Sequence, residues 1–188
     1  MMLTKTSNAV EAAALMIRNG GVVAYPTESC FGLGCDPRNQ TAIGRILEMK
    51  DRSRDKGLIL ISDCLEKLLP FLAPMPQDML DRVQASWPGP VTWLCPASEQ
   101  ATAFLRGQYD SLAVRVTAHS TAARLCEVAD MPLVSTSANR AGQPPLRNAS
   151  EVMSTFGRAV DCIVDEPIGK STKPSKILDA LTGEVIRP

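Results

Sequence analysis

Histidine is almost missing from this chain: His119 is the only one among 188 residues. A Ser-His-Asp triad or a histidine-rich metal site would have to be built around that one ring, which falls at an expected helix start without obvious partners. Aromatic residues make up 4%, and none of them form the runs on which proteins stack unpaired bases. Neither sign of charge predominates: 20 Lys and Arg face 20 Asp and Glu. No global field therefore draws the chain onto nucleic acid, and any RNA contact has to use a local patch. The apolar runs are far too short to cross a bilayer. Residues 1–9 hold one Lys but no apolar core and no cleavage site of a signal peptide. A cytoplasmic protein without a membrane partner is expected. The six cysteines (Cys30, Cys35, Cys64, Cys95, Cys126 and Cys162) include no CxxC pair, which argues against a structural zinc or a disulfide framework.

What is present has ordinary globular proportions, 45% hydrophobic and 21% charged, and enough length to bury a sizeable core. Val10, Ala13, Ala14 and Ile17 recur at helical spacing, so a helix is expected over residues 7–19, stopped by Gly20-Gly21. A buried strand follows at 22–25, and the polar segment 27–36 leaves its end. Asn39 is placed to cap a helix running to Met49, the charged stretch 50–56 reads as a loop, and a strand is expected at 58–61. Ser62 resembles the cap of another helix. Further strands are expected at 91–95, 111–116, 133–136 and 162–164, with helices at 78–85, 120–129 and 150–156. Residues 139–147 read as a Gly/Pro-rich loop, and 176–179 with 184–186 as a hairpin around Thr182-Gly183. Strands and helices alternate, which predicts an α/β fold: one domain over residues 1–188 with a mixed parallel and antiparallel sheet and flanking helices.

Three groups of residues could carry chemistry. Lys50, Arg52, Arg54 and Lys56 put four cations within seven residues, suited to a polyphosphate clamp or to a solvated charged turn. Ser135-Thr136-Ser137-Ala138-Asn139 lies at the end of an expected strand, where α/β sheets gather their ligands, although the same residues favour turns and caps. Arg115 stands inside the apolar strand Leu112-Ala113-Val114-Arg115-Val116. An unpaired charge there is costly, so it requires a carboxylate or phosphate partner, from a ligand or from the protein itself. Gly169-Lys170-Ser171-Thr172 imitates the tail of a phosphate-binding loop, but the first glycine of that motif would fall at Val164, and no strand-loop-helix unit fits.

Five segments taken together resemble the YrdC/TsaC family of threonylcarbamoyl-AMP synthases. They are Tyr25-Pro26-Thr27-Glu28, Lys50-x-Arg52 with Lys56-Gly57-Leu58-Ile59, Trp87-Pro88-Gly89-Pro90-Val91-Thr92, Leu112-Ala113-Val114-Arg115 and Ser135-Thr136-Ser137-Ala138-Asn139. Their order and spacing match from about Ala9 to Pro188, in the manner of the short bacterial form. The resemblance implies a twisted mixed sheet with a concave, positively charged cavity. It implies L-threonine at Thr27, Arg115, Ser135 and Ser175. ATP is implied at Arg52, Lys56, Ser111, Ser137, Asn139 and Arg187, with Lys50, Arg52 and Lys56 as the catalytic cations. Some longer relatives contact threonine through a histidine where this chain has Ile61.

The implied reaction joins L-threonine, bicarbonate or CO2 and ATP into threonylcarbamoyl-AMP and pyrophosphate. The product would go to a tRNA threonylcarbamoyl-transferase complex that modifies adenosine next to the anticodon. No protein nucleophile is needed, and no dedicated metal ligands are evident, so Mg2+ is expected to arrive on the ATP phosphates. Two other readings stand beside it. One is a tRNA- or double-stranded-RNA-binding protein, and direct tRNA binding is compatible with the enzyme as well. The other is a relative of one module of a carbamoyl-transfer maturation enzyme.

Overall fold

The computed structural model describes residues 2–4 and 8–188. In chain order they form β1 (Met2–Thr4), α1 (Ala9–Arg18), β2 (Val23–Pro26), β3 (Phe31–Gly34), α2 (Gln40–Lys50), β4 (Ile59–Ser62), α3 (Gln77–Gln84), β5 (Val91–Pro96), α4 (Ala103–Arg106), β6 (Ser111–Val116), α5 (Ser120–Ala129), β7 (Leu133–Ser137), α6 (Ala149–Phe156), β8 (Cys162–Val164), β9 (Lys176–Asp179) and β10 (Val185–Arg187). Short 3-10 turns lie at Arg54–Lys56 and Leu69–Phe71. The strands follow the order β1-β8-β2-β3-β7-β4-β6-β5-β9-β10. Pairs β1/β8, β8/β2, β4/β6 and β5/β9 are parallel, and the remaining neighbours are antiparallel. The α/β class and the mixed sheet therefore agree with the sequence reading.

Two apolar layers divide along the strands with the two-residue period of a pleated sheet. Val23, Tyr25, Ile61, Leu133, Cys162 and Val164 join Ala13, Ala14 and Ile17 of α1 and Leu125 and Cys126 of α5 on one face. Ala24, Leu60, Val134 and Ile163, their neighbours in sequence, join α2, α3 and α6 on the other. Local chemistry sets where the helices start. Asn39 accepts the Ala42 N–H at 3.0 Å. At α6, Asn148 accepts the Glu151 N–H at 2.8 Å while the Glu151 carboxylate accepts the Arg147 N–H at 2.8 Å, a reciprocal cap.

The structure corrects the sequence reading in several places. Segment 27–36 does not simply leave a strand, because it contains β3. Two of the four residues of β3 are glycine, which hides the strand from propensity. At Gly34 a Cβ would lie 2.5 Å from the Val134 carbonyl oxygen and 2.7 Å from the Tyr25 ring, so the packing itself demands glycine. Ser62 caps no helix. It ends β4, and residues 63–71 form turns that close in the 3-10 turn holding Pro70, which cannot continue a helix. The expected helix start at residue 7 lies outside the described residues.

Candidate active site

The layer made by α1 and α5 covers only part of its face of the sheet. On β7 the residues that follow Leu133 on that face are Ser135 and Ser137. On β4 the residue before Ile61 on the same face is Ile59, paired with Ser135. On β6, Leu112, Val114 and Val116 enter the opposite core, which turns Arg115 toward this face. Beyond the helices these residues border a cleft of about 180 Å3. Its lining also includes residues 27–32, Arg52, Leu58, Pro90, Ser171, residues 173–175 and Arg187.

Arg115 is only 7% exposed, and its Nη2 lies 3.2 Å from Glu28 Oε2. Glu28 Oε1 accepts the Thr117 hydroxyl at 2.7 Å. The partner demanded by a charge in an apolar strand is thus present on the protein. Arg52 is held differently: its Nη2 donates to the Gly57 carbonyl at 2.9 Å and to that of Lys56 at 3.4 Å. Burial lowers the pKa of its guanidinium below the ordinary arginine value. Arg187 grips Ser175, donating from Nη2 to the Ser175 carbonyl at 2.6 Å and to its hydroxyl at 3.3 Å. Burial and then the neighbouring charge of Arg115 push the Arg187 pKa down. The Ser175 hydroxyl lies 2.9 Å from that of Thr92, and the Thr27 hydroxyl donates to the Cys30 carbonyl at 2.8 Å.

Among the described residues four side-chain polar atoms are buried without a hydrogen-bond partner: Glu28 Oε2, Arg52 Nε, Thr102 Oγ1 and Arg115 Nε. Three of these four residues line the cleft. Each such atom costs roughly 1–3 kcal/mol unless something meets it, so their convergence marks a place built to receive a polar ligand.

A family model described as "Telomere recombination" and drawn on the Sua5, YciO and YrdC proteins matches residues 15–188. The chain belongs to the Sua5/YciO/YrdC family. A relative from Nitrosococcus oceani named threonylcarbamoyl-AMP synthase is 51% identical over 178 residues, covering 95% of this chain and 96% of its own length. One of the same name from Coxiella burnetii is 42% identical over 181 residues, covering 96% and 97%. Relatives so named indicate an enzyme. P. abyssi Sua5 complexed with L-threonine aligns with a TM-score of 0.90 at 31% identity, covering all of this chain and 56% of the other, so this chain spans little more than half of that protein. E. coli YciO shares the fold, with a TM-score of 0.81 at 23% identity over 98% of this chain and 90% of its own.

Thr27, Arg115, Ser135, Ser175, Arg52, Ser137 and Arg187 all line the cleft. Lys50, Lys56, Ser111 and Asn139 do not. Lys50 ends α2 rather than opening a loop, and it is 5% exposed. Its amine donates to the Ser137 carbonyl, and to the Asn139 carbonyl and side-chain oxygen at 3.0 Å each. Burial, and next the charge of Arg52, push that amine down to about 8. Lys50 therefore fastens the turn after β7 and does not reach into the cleft. Asn139 belongs to the same knot, its Oδ1 accepting the Ser137 hydroxyl at 2.6 Å. Lys56 is exposed in the 3-10 turn. Ser111 opens β6, four residues before Arg115 and about 13 Å away along an extended strand. Ile61 is wholly buried beneath α5 and makes no part of the lining.

Ser171, Lys173 and Glu28 line the cleft without a role in the sequence reading. For Glu28 a signal existed: it stands beside Thr27 in Tyr25-Pro26-Thr27-Glu28, and Arg115 called for a carboxylate. The imitation phosphate motif is explained by packing. The Gly169 N–H donates to the Thr27 carbonyl at 2.9 Å and the Ser171 N–H to that of Glu28 at 3.0 Å. A Cβ on Gly169 would sit 2.7 Å from the Glu28 carbonyl oxygen. Glycine is required there so that one segment of the cleft can lie against another.

Proposed function

We infer that the chain is a threonylcarbamoyl-AMP synthase, a nucleotidyltransferase that makes threonylcarbamoyl-AMP and pyrophosphate from L-threonine, bicarbonate or CO2 and ATP. The observation that carries this reading is the meeting of two guanidinium groups, half-buried Arg52 and buried Arg115, each with a buried Nε that has no partner, in one hydroxyl-lined cleft. Kinship to synthases of that name and to a protein complexed with L-threonine supports it.

In this reading Arg115 takes the threonine carboxylate, while Thr27, Ser135 and Ser175 surround the rest of the amino acid. Arg52, Ser137 and Arg187 face the ATP phosphates. Lys56, exposed one residue before the Gly57 carbonyl that holds Arg52, acts as an outer cation. Threonine's amine, with two of the three ammonium protons passed to solvent, forms a bond to the carbon of CO2, keeps one N–H and becomes an N-carboxylate. Starting from bicarbonate, the C–O bond to the hydroxyl also breaks and that oxygen leaves as water. That carboxylate attacks the α-phosphorus, and pyrophosphate leaves. The protein's part is to hold an unstable carbamate in line with ATP and to neutralise charge growing on the phosphates. Mg2+ enters with ATP. The described lining residues offer one carboxylate, Glu28, which lies beside Arg115 and accepts from Thr117, too few ligands for a metal cage, so the ion would be held chiefly by phosphate and water oxygens. The adenylate then passes, in the cytoplasm, to the complex that transfers the threonylcarbamoyl group to tRNA.

Pyrophosphate release from ATP, measured without RNA, tests the reading. It is expected only when threonine and bicarbonate are both present. Release independent of either substrate, or none with all three, overturns it.

A further inference from the structure

We propose that Glu28 is the counter-charge for the α-ammonium group of the amino-acid substrate, so that the Arg115–Glu28 pair reads both ends of a zwitterion. The inference rests on the amino-acid reading of the cleft given above. Glu28 is the one carboxylate among the described residues of the lining, where the other charged groups are Arg52, Arg115, Lys173 and Arg187. An amino acid whose carboxylate is drawn to Arg115 must place its ammonium within a few ångströms of that guanidinium. Among the charged groups of the cleft, only Glu28 favours a positive charge there.

The pair is also incompletely used by the protein. Glu28 Oε1 is committed to the Thr117 hydroxyl at 2.7 Å, and Thr117 Oγ1 in turn accepts the His119 N–H at 3.2 Å. Glu28 Oε2 has only the Arg115 guanidinium beside it, at 3.2 Å and outside hydrogen-bond geometry. Arg115 Nε is likewise buried and unpartnered. A carboxylate accepts up to about four hydrogen bonds and a guanidinium donates about five. A purely structural pair with side chains only 9% and 18% exposed would be expected to spend more of that capacity on the protein. Here a spare acceptor and a spare donor stand side by side, which is the pattern that a molecule carrying one ammonium and one carboxylate completes.

The test compares binding of L-threonine with binding of 3-hydroxybutanoate, which keeps the carboxylate and hydroxyl and lacks the amine. The wild type should bind threonine about 10- to 100-fold more tightly, the scale of one charge-assisted hydrogen bond. Glu28→Gln keeps the side chain's shape and a carbonyl for Thr117. It should weaken threonine by that factor while leaving 3-hydroxybutanoate unchanged or tighter, so that the preference collapses toward one. Thr117→Val, which frees the carboxylate from its anchor without removing its charge, should reduce the preference by a smaller factor. Equal losses for the two ligands in Glu28→Gln would mean that Glu28 serves Arg115 alone, and an unchanged preference would mean that it serves neither. Either result overturns the proposal while the amino-acid reading stands. A wild type that binds neither ligand would sink that reading itself.

Discussion

The buried Arg115 and the half-buried Arg52 of the cleft are held in opposite ways. Arg115 faces the carboxylate of Glu28, whereas Arg52 leans on the carbonyl dipoles of Gly57 and Lys56 with no carboxylate within ion-pair distance among the described residues. The first arrangement neutralises the guanidinium and leaves geometry to discriminate, which suits a small zwitterion. The second leaves the full charge facing the cleft, which suits a polyphosphate. We read the cleft as having a paired end at Arg115 and Glu28, with Arg187 close enough to Arg115 to feel its charge, and an unpaired, cationic end at Arg52, although its residues come from strands on both sides of β4 in the sheet order.

The largest effect should come from the cationic end. Arg52→Ala is expected to lower kcat/KM for pyrophosphate release by about 10^2- to 10^3-fold, the loss seen when a donor to transition-state charge is removed. Threonine affinity, read by calorimetry, should hold. A matching loss of threonine affinity would break the division between the two ends.

Arg115→Ala should do the reverse, weakening threonine by about 10- to 100-fold with ATP affinity nearly intact. It also strands Glu28, so the folded state should lose about 3 kcal/mol in a denaturant titration. Replacing the pair together, Arg115→Met with Glu28→Gln, should recover much of that stability and none of the threonine binding. Unchanged threonine affinity in Arg115→Ala would leave the arginine a purely structural role.

Lys50 gives a smaller effect with a defined pH dependence. Its amine, pushed down to about 8 by burial and Arg52, holds three oxygens of Ser137 and Asn139 only while it carries all its protons. Turnover should therefore fall a few-fold as pH rises through 8, when the turn beside Ser137 loosens. Stability moves the other way. Between about 8 and the ordinary lysine value of 10.5 the unfolded chain binds more protons than the folded one, so this group adds stability as pH rises there. An alkaline loss of turnover without a matching loss of Tm is the expected signature, and Lys50→Met should remove that limb of the profile.

The smallest effect is assigned to Lys56→Ala. An exposed cation outside the cleft acts through a screened field, so the loss should stay within about tenfold and shrink as salt is raised. A loss as deep as that of Arg52→Ala would place Lys56 on the phosphates directly and enlarge the cationic end.

Much of this was legible wherever the signal is local. The expected bounds of β6 and α5, 111–116 and 120–129, coincide with the observed Ser111–Val116 and Ser120–Ala129, because both carry clean periodicity. Arg115 announced its need for a counter-charge by standing in an apolar strand. What stayed hidden depends on distant neighbours. β3 is half glycine, and at Gly34 the reason is the distant Tyr25 ring and Val134 carbonyl, which leave no room for a Cβ. The partner of Arg115 is fixed by Thr117 reaching a carboxylate 89 residues earlier. Lys50, three residues before Ser53 in a run rich in charge, looked like one more member of a loop. Its amine is instead claimed by a turn 87 and 89 residues away.

The central claim, that the cleft joins an amino acid, one carbon and a nucleotide, is tested most directly by following the label from 13C-bicarbonate. The protein is incubated with ATP, L-threonine and labelled bicarbonate in the absence of RNA, and the nucleotide products are weighed by mass spectrometry. The account predicts an adenylate carrying threonine and one labelled carbon, formed by wild type and nearly absent with Arg52→Ala. Threonyl-adenylate without the label, or AMP and pyrophosphate formed at the same rate without threonine, would contradict it.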